Sequence, residues 1–343
     1  MHLYESSASP LRLSPEQIFS VATGVLDMQE TDGGLRLLRI TDAQRAQYSP
    51  EETGWRRSRT MAGVTLDLLT DSTTLTLACS AIRLHSEYHS AFDILVDGSF
   101  YDSFALPLPE PGTEVTEDAA FRHTFSLPCG EKRVTLYFPL YPMVIDAVEL
   151  DGGAAFRPYE HRRTWVAFGD SITEGREPNH PSNAYTCRVA RLLDAQLYNQ
   201  AISGEIFRSR KIVPGSYPAC DLVTVAYGTN DFRKQPPELL LPEANAFFRQ
   251  LTEAFPSTPI FYLLPLWRKD KDQVTTGRTL EEVRQLLKAE AETFPGIRVI
   301  DCWDFIPPRE ELFYDQRLHP NDDGFVYYAE ALYKALAEHL PRK

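Results

Sequence analysis

A chain of 343 residues is longer than one hydrophobic core usually organises, so two domains are the first expectation. Hydrophobic content of 43% and aromatic content of 11% suit a folded, soluble protein and exclude a disordered one. The formal net charge of -13 argues against nucleic acid or an anionic membrane as partner, because both reward a basic face, and leaves small neutral substrates open.

The first residues, M-H-L-Y-E-S-S-A-S-P, have neither the basic start nor the apolar run of a secretory signal, and no later stretch reaches membrane-spanning length. Cys79, Cys129, Cys187, Cys220 and Cys302 are odd in number and widely spaced, which fits reduced thiols better than a disulfide framework or a Cys-rich zinc site. A cytoplasmic location is the resulting expectation. Assembly into a homo-oligomer is left open.

Between Met61 and Leu150 apolar residues recur with the two-residue period of half-buried strands. Val64, Leu66 and Leu68 alternate with Thr65 and Asp67; Leu75 and Leu77 with Thr74 and Thr76; Val134, Leu136 and Phe138 with Thr135 and Tyr137. Turn signals at Asp97-Gly98 and Pro128-Cys129-Gly130 separate the runs, so residues 1–152 read as an antiparallel β-sandwich of jelly-roll type. Asp151-Gly152-Gly153 marks a boundary, with 153–163 as linker.

From Thr164 to the end, residues 164–343, apolar strands alternate with longer helical stretches, the pattern of an α/β domain with a parallel sheet flanked by helices. Strands are expected at Thr164–Phe168, Gln196–Asn199, Leu222–Ala226, Ile260–Leu264 and Arg298–Ile300. Helices are expected near Ala184–Leu193, Glu238–Ala254, Leu280–Thr293 and Asp323–Leu340. Ligands of such sheets bind at the carboxyl ends of the strands, where Ser171, Asn230 and Trp267 fall. No glycine-rich nucleotide fingerprint follows the first of these strands.

Four blocks carry the chemistry. The run T-W-V-A-F-G-D-S-I-T-E-G puts Ser171 at the turn leaving a buried strand, with its hydroxyl outward and backbone N–H groups aimed at the same place. Gly204 follows in N-Q-A-I-S-G-E, Asn230 in V-A-Y-G-T-N-D, and His319 in Y-D-Q-R-L-H-P-N. Each alone is an ordinary turn sequence. In this order, from Thr164 to roughly Leu340, they resemble the SGNH subgroup of the GDSL esterase and lipase family.

The resemblance implies Ser171 as nucleophile and His319 as general base, with an oxyanion hole from the Ser171 and Gly204 backbone N–H groups and the Asn230 amide. It implies no cofactor and no metal. The chain departs from the family at the third triad member. The usual acid lies three residues before the histidine, where this sequence has Gln316; Asp315 is four before. Two geometries stay open: a loop that bulges so that Asp315 still reaches the ring, which is preferred, or a backbone carbonyl that orients it. Asp170 reads as a hydrogen-bond acceptor within the turn, and the run His319, Asn321, Asp322 and Asp323 as a turn into a helix rather than a metal site.

Trp267 and Arg268 leave a strand at the ligand edge and either wall a substrate pocket or pack at a domain contact. His85, Tyr88, His89 and Trp55 are a weaker, sugar-facing candidate cluster. The leading expectation is a serine esterase acting on short acyl groups, with acetyl on a carbohydrate or similar polar alcohol suggested by family analogy alone. An acyltransferase using the same acyl-serine intermediate, and a non-catalytic carbohydrate-binding protein, are the alternatives.

Overall fold

The structure is a computed structural model that describes residues 9–82, 91–106 and 118–341. Among these, the amino-terminal half forms two six-stranded antiparallel sheets. One runs Asp27–Thr31, Gly34–Leu38, Met143–Leu150, Thr74–Ile82, Asp118–Ser126, with Leu11–Arg12 added to Met143–Leu150. The other runs Phe156–Pro158, Thr65–Thr70, Lys132–Tyr137, Ala91–Val96, Ser99–Ala105, with Ala22–Thr23 added to Thr65–Thr70. The alternation of the strands explains the core between them: Leu66, Leu68, Leu75, Leu77, Val134 and Leu136 all point into one apolar cluster and are at most 1% exposed.

The opposite face of the second sheet is buried as well, although its residues are polar. Thr65, Asp67, Asp93, Thr135 and Tyr137 are each less than 9% exposed because the carboxyl-terminal half packs on them. Leu95 and Tyr137 join an apolar cluster of that half. Asp93 accepts the Ser182 N–H at 3.0 Å and meets His180 Nδ1 at 2.7 Å, while Asp67 pairs with Arg133 at 2.7 Å and His161 at 3.2 Å. Buried carboxylates survive here because each has partners in place of water. The segment 153–163 also takes part, since Phe156–Pro158 is a strand of the second sheet.

The carboxyl-terminal half is a five-stranded parallel sheet in the order Ala195–Asn199, Arg163–Gly169, Leu222–Ala226, Ile260–Leu263, Ile297–Ile300. These strands match the expected ones to within a residue at either end. Successive residues face different clusters: Trp165 and Ala167 pack with the helices Tyr185–Leu193 and Asp322–Ala337, whereas Val166 and Phe168 pack with Pro237–Ala254 and Leu280–Glu292. Helices on both faces make the strands predominantly apolar, as in L-V-T-V-A over Leu222–Ala226. Cys79, Cys187 and Cys302 are buried free thiols, and Cys129 is exposed. No helix among the described residues is long and apolar enough to cross a membrane.

Candidate active site

Ser171 opens a one-turn helix, Ser171–Glu174, at the carboxyl end of the strand Arg163–Gly169. The reversal is tight. A Cβ on Gly169 would come within 2.1 Å of Thr173 Oγ1, Asp170 caps the turn by accepting the Ile172 N–H at 3.1 Å, and Gly175 ends it at φ 89°. A left-handed residue without a side chain is what permits so short a helix.

His319 lies 148 positions downstream, and its Nε2 is 2.9 Å from Ser171 Oγ. On the other side of the ring, Nδ1 is 2.9 Å from Asp315 Oδ2. The loop that brings them together is braced from within: Asp315 Oδ1 accepts the N–H groups of Arg317 at 3.0 Å, Leu318 at 2.7 Å and His319 at 3.0 Å, and the Tyr314 N–H reaches the His319 carbonyl at 2.8 Å. Gln316 adopts φ 52°, a left-handed conformation that takes up the extra residue between acid and histidine. Asp315, not a backbone carbonyl, therefore meets the ring. Burial opposes ionisation of Asp315, but the His319 ring and the Leu318 and His319 N–H groups outweigh it and hold the carboxyl well below the usual carboxylate range.

Gly204 and Asn230 are brought to one neighbourhood. The Asn230 side-chain amide donates to the Glu205 carbonyl at 3.1 Å, and Lys234 Nζ donates to the Gly204 carbonyl at 2.9 Å. Gly204 itself has φ 82°. Among the described residues the Ser171 and Gly204 backbone N–H groups have no protein acceptor. Beneath them are two fully buried acids. Burial raises Asp170 to about 6 and Asp231 to about 7, the latter despite N–H bonds from Phe207 at 2.9 Å and Gly228 at 2.9 Å.

Two residues that sequence reasoning missed, Glu174 and Arg39, hold the Gly204 segment. Glu174 accepts the Ser203 N–H at 2.8 Å and the Ser203 hydroxyl, and forms an ion pair with Arg39 at 3.1 Å. Arg39 belongs to the amino-terminal half and its side chain is fully buried. Its remaining donors reach the carbonyls of Asn199 at 2.9 Å, Ala201 at 2.8 Å, Thr60 at 2.7 Å and Arg57 at 3.0 Å. Glu174 stands inside the Ser171 motif and offered a clue; Arg39 carries no periodic or motif signal. Such a fork satisfies every guanidinium direction, which is how a buried arginine is tolerated.

Trp267 is half-buried with its ring 5.4 Å from Phe313. Arg268 is buried, and its guanidinium turns to the Thr229 carbonyl at 2.9 Å and to Asp270 at 2.5 Å; it braces two loops rather than presenting its charge to a pocket. Trp55 lies under Arg45 at 3.5 Å, and His85, Tyr88 and His89 fall outside the described residues. Asn321 caps the helix Asp322–Ala337 by accepting the Gly324 N–H at 3.0 Å, and Asp322 is engaged by the Asn179 N–H at 2.8 Å and the Asn183 amide at 2.6 Å. A hydroxyl bonded to an imidazole that is bonded in turn to a carboxylate is the arrangement that activates serine toward acyl carbons.

Residues 167–325 match the family model of the GDSL-like lipase/acylhydrolase family. No curated protein matches the chain by sequence. Among solved structures, the salicylyl-acyltransferase SsfX3 from a tetracycline biosynthetic pathway is similar with a TM-score of 0.82 at 24% identity, covering 97% of this chain and 99% of that one. A putative GDSL-like lipase from Bacteroides ovatus gives 0.74 at 18% identity, covering 96% and 98%. An acetyl xylan esterase from the rumen bacterium Butyrivibrio proteoclasticus gives 0.61 at 14% identity, covering 96% and 98%. At these identities the likeness establishes a shared fold across both halves.

Proposed function

The chain carries a GDSL-like lipase/acylhydrolase domain over residues 167–325, and from that premise we propose that it is a serine esterase for short acyl groups, with O-acetyl on a carbohydrate or similar polar alcohol as its substrate class. The observation that carries the reading is the unbroken relay from Ser171 Oγ through His319 to Asp315, 2.9 Å at each step. His319 takes the Ser171 proton as Oγ bonds to the ester carbon. The carbonyl oxygen becomes an oxyanion facing the Ser171 and Gly204 N–H groups and the Asn230 amide. Collapse breaks the bond to the alcohol oxygen, which leaves with the proton from His319, and an acyl-serine remains. Water then repeats the sequence, returning its proton through His319 and releasing the acid. Asp315 keeps the ring in the tautomer that presents Nε2 to serine.

Short acyl specificity is supported by analogy with the acetyl xylan esterase of the same fold, and the fold by itself does not choose a substrate. The decisive experiment compares p-nitrophenyl acetate, p-nitrophenyl octanoate and a panel of acetylated sugars, with parent and Ser171→Ala protein. The expected result is acetate turnover that Ser171→Ala abolishes. Fast octanoate turnover with none of acetate would reverse the chain-length assignment. The likeness to an acyltransferase over 97% of this chain favours a second reading, transfer of the same acyl group to an acceptor alcohol. Product partition between acid and new ester, measured with acceptors present, separates the two.

A further inference from the structure

The cations around the nucleophile fall into two groups. Most have a carboxylate. Arg208 and Arg210 each meet Glu52 at 3.0 Å, Lys211 meets Glu205 at 3.4 Å, Arg233 and Arg317 meet Asp270 at 2.6 and 3.2 Å, and Arg39 meets Glu174. Arg57 and Lys234 do not. Among the described residues their polar contacts are backbone carbonyls: Arg57 Nη1 donates to Ser203 at 2.6 Å, and Lys234 Nζ to Gly204 at 2.9 Å.

The two come from opposite halves of the molecule and converge over one point. A Cβ placed on Gly204 would lie 3.1 Å from Lys234 Nζ and 3.5 Å from Arg57 Nη1, so the two charges stand side by side above the glycine whose N–H lacks a protein acceptor. Burial and the charges of Arg57 and Arg208 lower the Lys234 pKa, against the pull of the Asp170 and Glu205 carboxylates, so Lys234 lies within electrostatic reach of Arg57. Each side chain retains donors beyond the one its carbonyl uses. In a chain of net charge -13, two neighbouring cations above Gly204 with no carboxylate in ion-pair contact among the described residues form a ready anion site.

We propose that Arg57 and Lys234 bind an anionic group, carboxylate or phosphate, carried by the ester substrate close to its scissile carbonyl. This rests on the esterase reading and narrows it: the preferred ester is acidic, and the amino-terminal half contributes to specificity through Arg57. The guanidinium takes two anion oxygens from one side and the ammonium a third contact from the other, with the carbonyl over Gly204.

The test is a ratio of kcat/KM values for matched esters, one acidic and one neutral. One arm places the anion on the acyl group, mono-p-nitrophenyl succinate against p-nitrophenyl butyrate. The other places it on the alcohol, O-acetyl-lactate against its methyl ester. The parent enzyme is expected to favour the acidic member of one pair by roughly ten- to a hundredfold, the range for hydrogen bonds to a charged group, and the responding arm identifies which side carries the anion. Arg57→Gln and Lys234→Gln should each collapse that ratio, and Arg57→Lys should restore part of it. Because Arg57→Gln also loosens the Ser203 carbonyl, it disturbs both members of a pair alike, and this cancels in the ratio. A ratio near one in the parent with neutral esters still hydrolysed, or a ratio unchanged in the variants, overturns the proposal and leaves the esterase reading standing. Absence of turnover of every ester overturns both.

Discussion

Two loops flank Ser171 and are held in place by different means. The loop bearing His319 is braced chiefly from within: Asp315 accepts three N–H groups from the next four residues and still has an oxygen for the ring. The loop bearing Gly204 has one turn bond of its own, from the Glu205 N–H to the Ile202 carbonyl, and leans otherwise on neighbouring segments. Ser203 hangs on Glu174, Glu174 on Arg39, and the two carbonyls of Ser203 and Gly204 on Arg57 and Lys234. The first loop is organised mainly by its own acid and is joined to a neighbouring loop through Arg317, which meets the Lys269 N–H and Asp270. The second draws on both halves: Gly169, Glu174, Asn230 and Lys234 from the carboxyl-terminal one and Arg39 and Arg57 from the amino-terminal one.

The contrast can be broken first at the local loop. Asp315→Asn removes the charge that orients and balances His319, and kcat is expected to fall by roughly 10³–10⁴-fold with KM little changed. A loss of only a few-fold, measured by steady-state kinetics, would mean that the ring is oriented without the acid.

Glu174→Gln attacks the remote loop. It leaves the Arg39 guanidinium buried without its carboxylate, at an expected stability cost of ~3–5 kcal/mol by denaturant unfolding. Replacing the pair together, Arg39→Met with Glu174→Leu, should recover part of the stability while kcat stays low, because Ser203 is still unsupported. Full recovery of kcat in the double variant would show that the Gly204 loop needs neither Glu174 nor Arg39.

Asp170 lies between the two loops and supplies a test by pH. Its folded pKa of about 6 stands above the ordinary 3.8, so the native state holds the proton more tightly than the unfolded chain. Stability contributed by that proton is complete at low pH and is lost as pH rises through about 6, a cost of ~3 kcal/mol at neutrality. Asp170→Asn can still cap Ile172, and it should raise thermal stability near pH 8 but not near pH 4, a range set by this linkage. Equal effects at both pH values would place the cost elsewhere.

The smallest effect is expected at Gly204. With φ 82°, Gly204→Ala costs ~1–2 kcal/mol from the left-handed backbone alone, since the atoms it would meet are the ends of two flexible side chains. A much larger loss in thermal unfolding would mean that Arg57 and Lys234 cannot move aside.

Much of the carboxyl-terminal half was legible because its signals are local. A buried parallel strand is a run of apolar residues, so Leu222–Ala226 and the other four strands could be read almost to their ends. Ser171 stood out as a residue in the turn at the end of such a run, and His319 through the block it completes in the family resemblance. The extra residue before His319 was visible, but whether the loop would bulge was not, because the left-handed Gln316 leaves no compositional mark. The face bearing Thr65, Asp67 and Thr135 reads as solvent-facing in sequence and is buried in the fold. Polar alternation reports that a face lacks apolar side chains, and says nothing of what packs on it.

The amino-acid sequence by itself therefore determined the strands and long helices of the carboxyl-terminal half, the β-rich pattern from Met61 to Leu150, and the candidate serine and imidazole, with Asp315 as the preferred acid, since these follow from periodicity or from the order of four motif blocks. Only the tertiary structure decided that Arg39 would be buried between the halves, that Glu174 would carry the Gly204 loop, that Arg268 would brace loops instead of facing a pocket, and that Arg57 and Lys234 would meet. The physical reason is that a buried charge is placed by whichever distant groups can satisfy it, and that pairing is settled when the two halves come together.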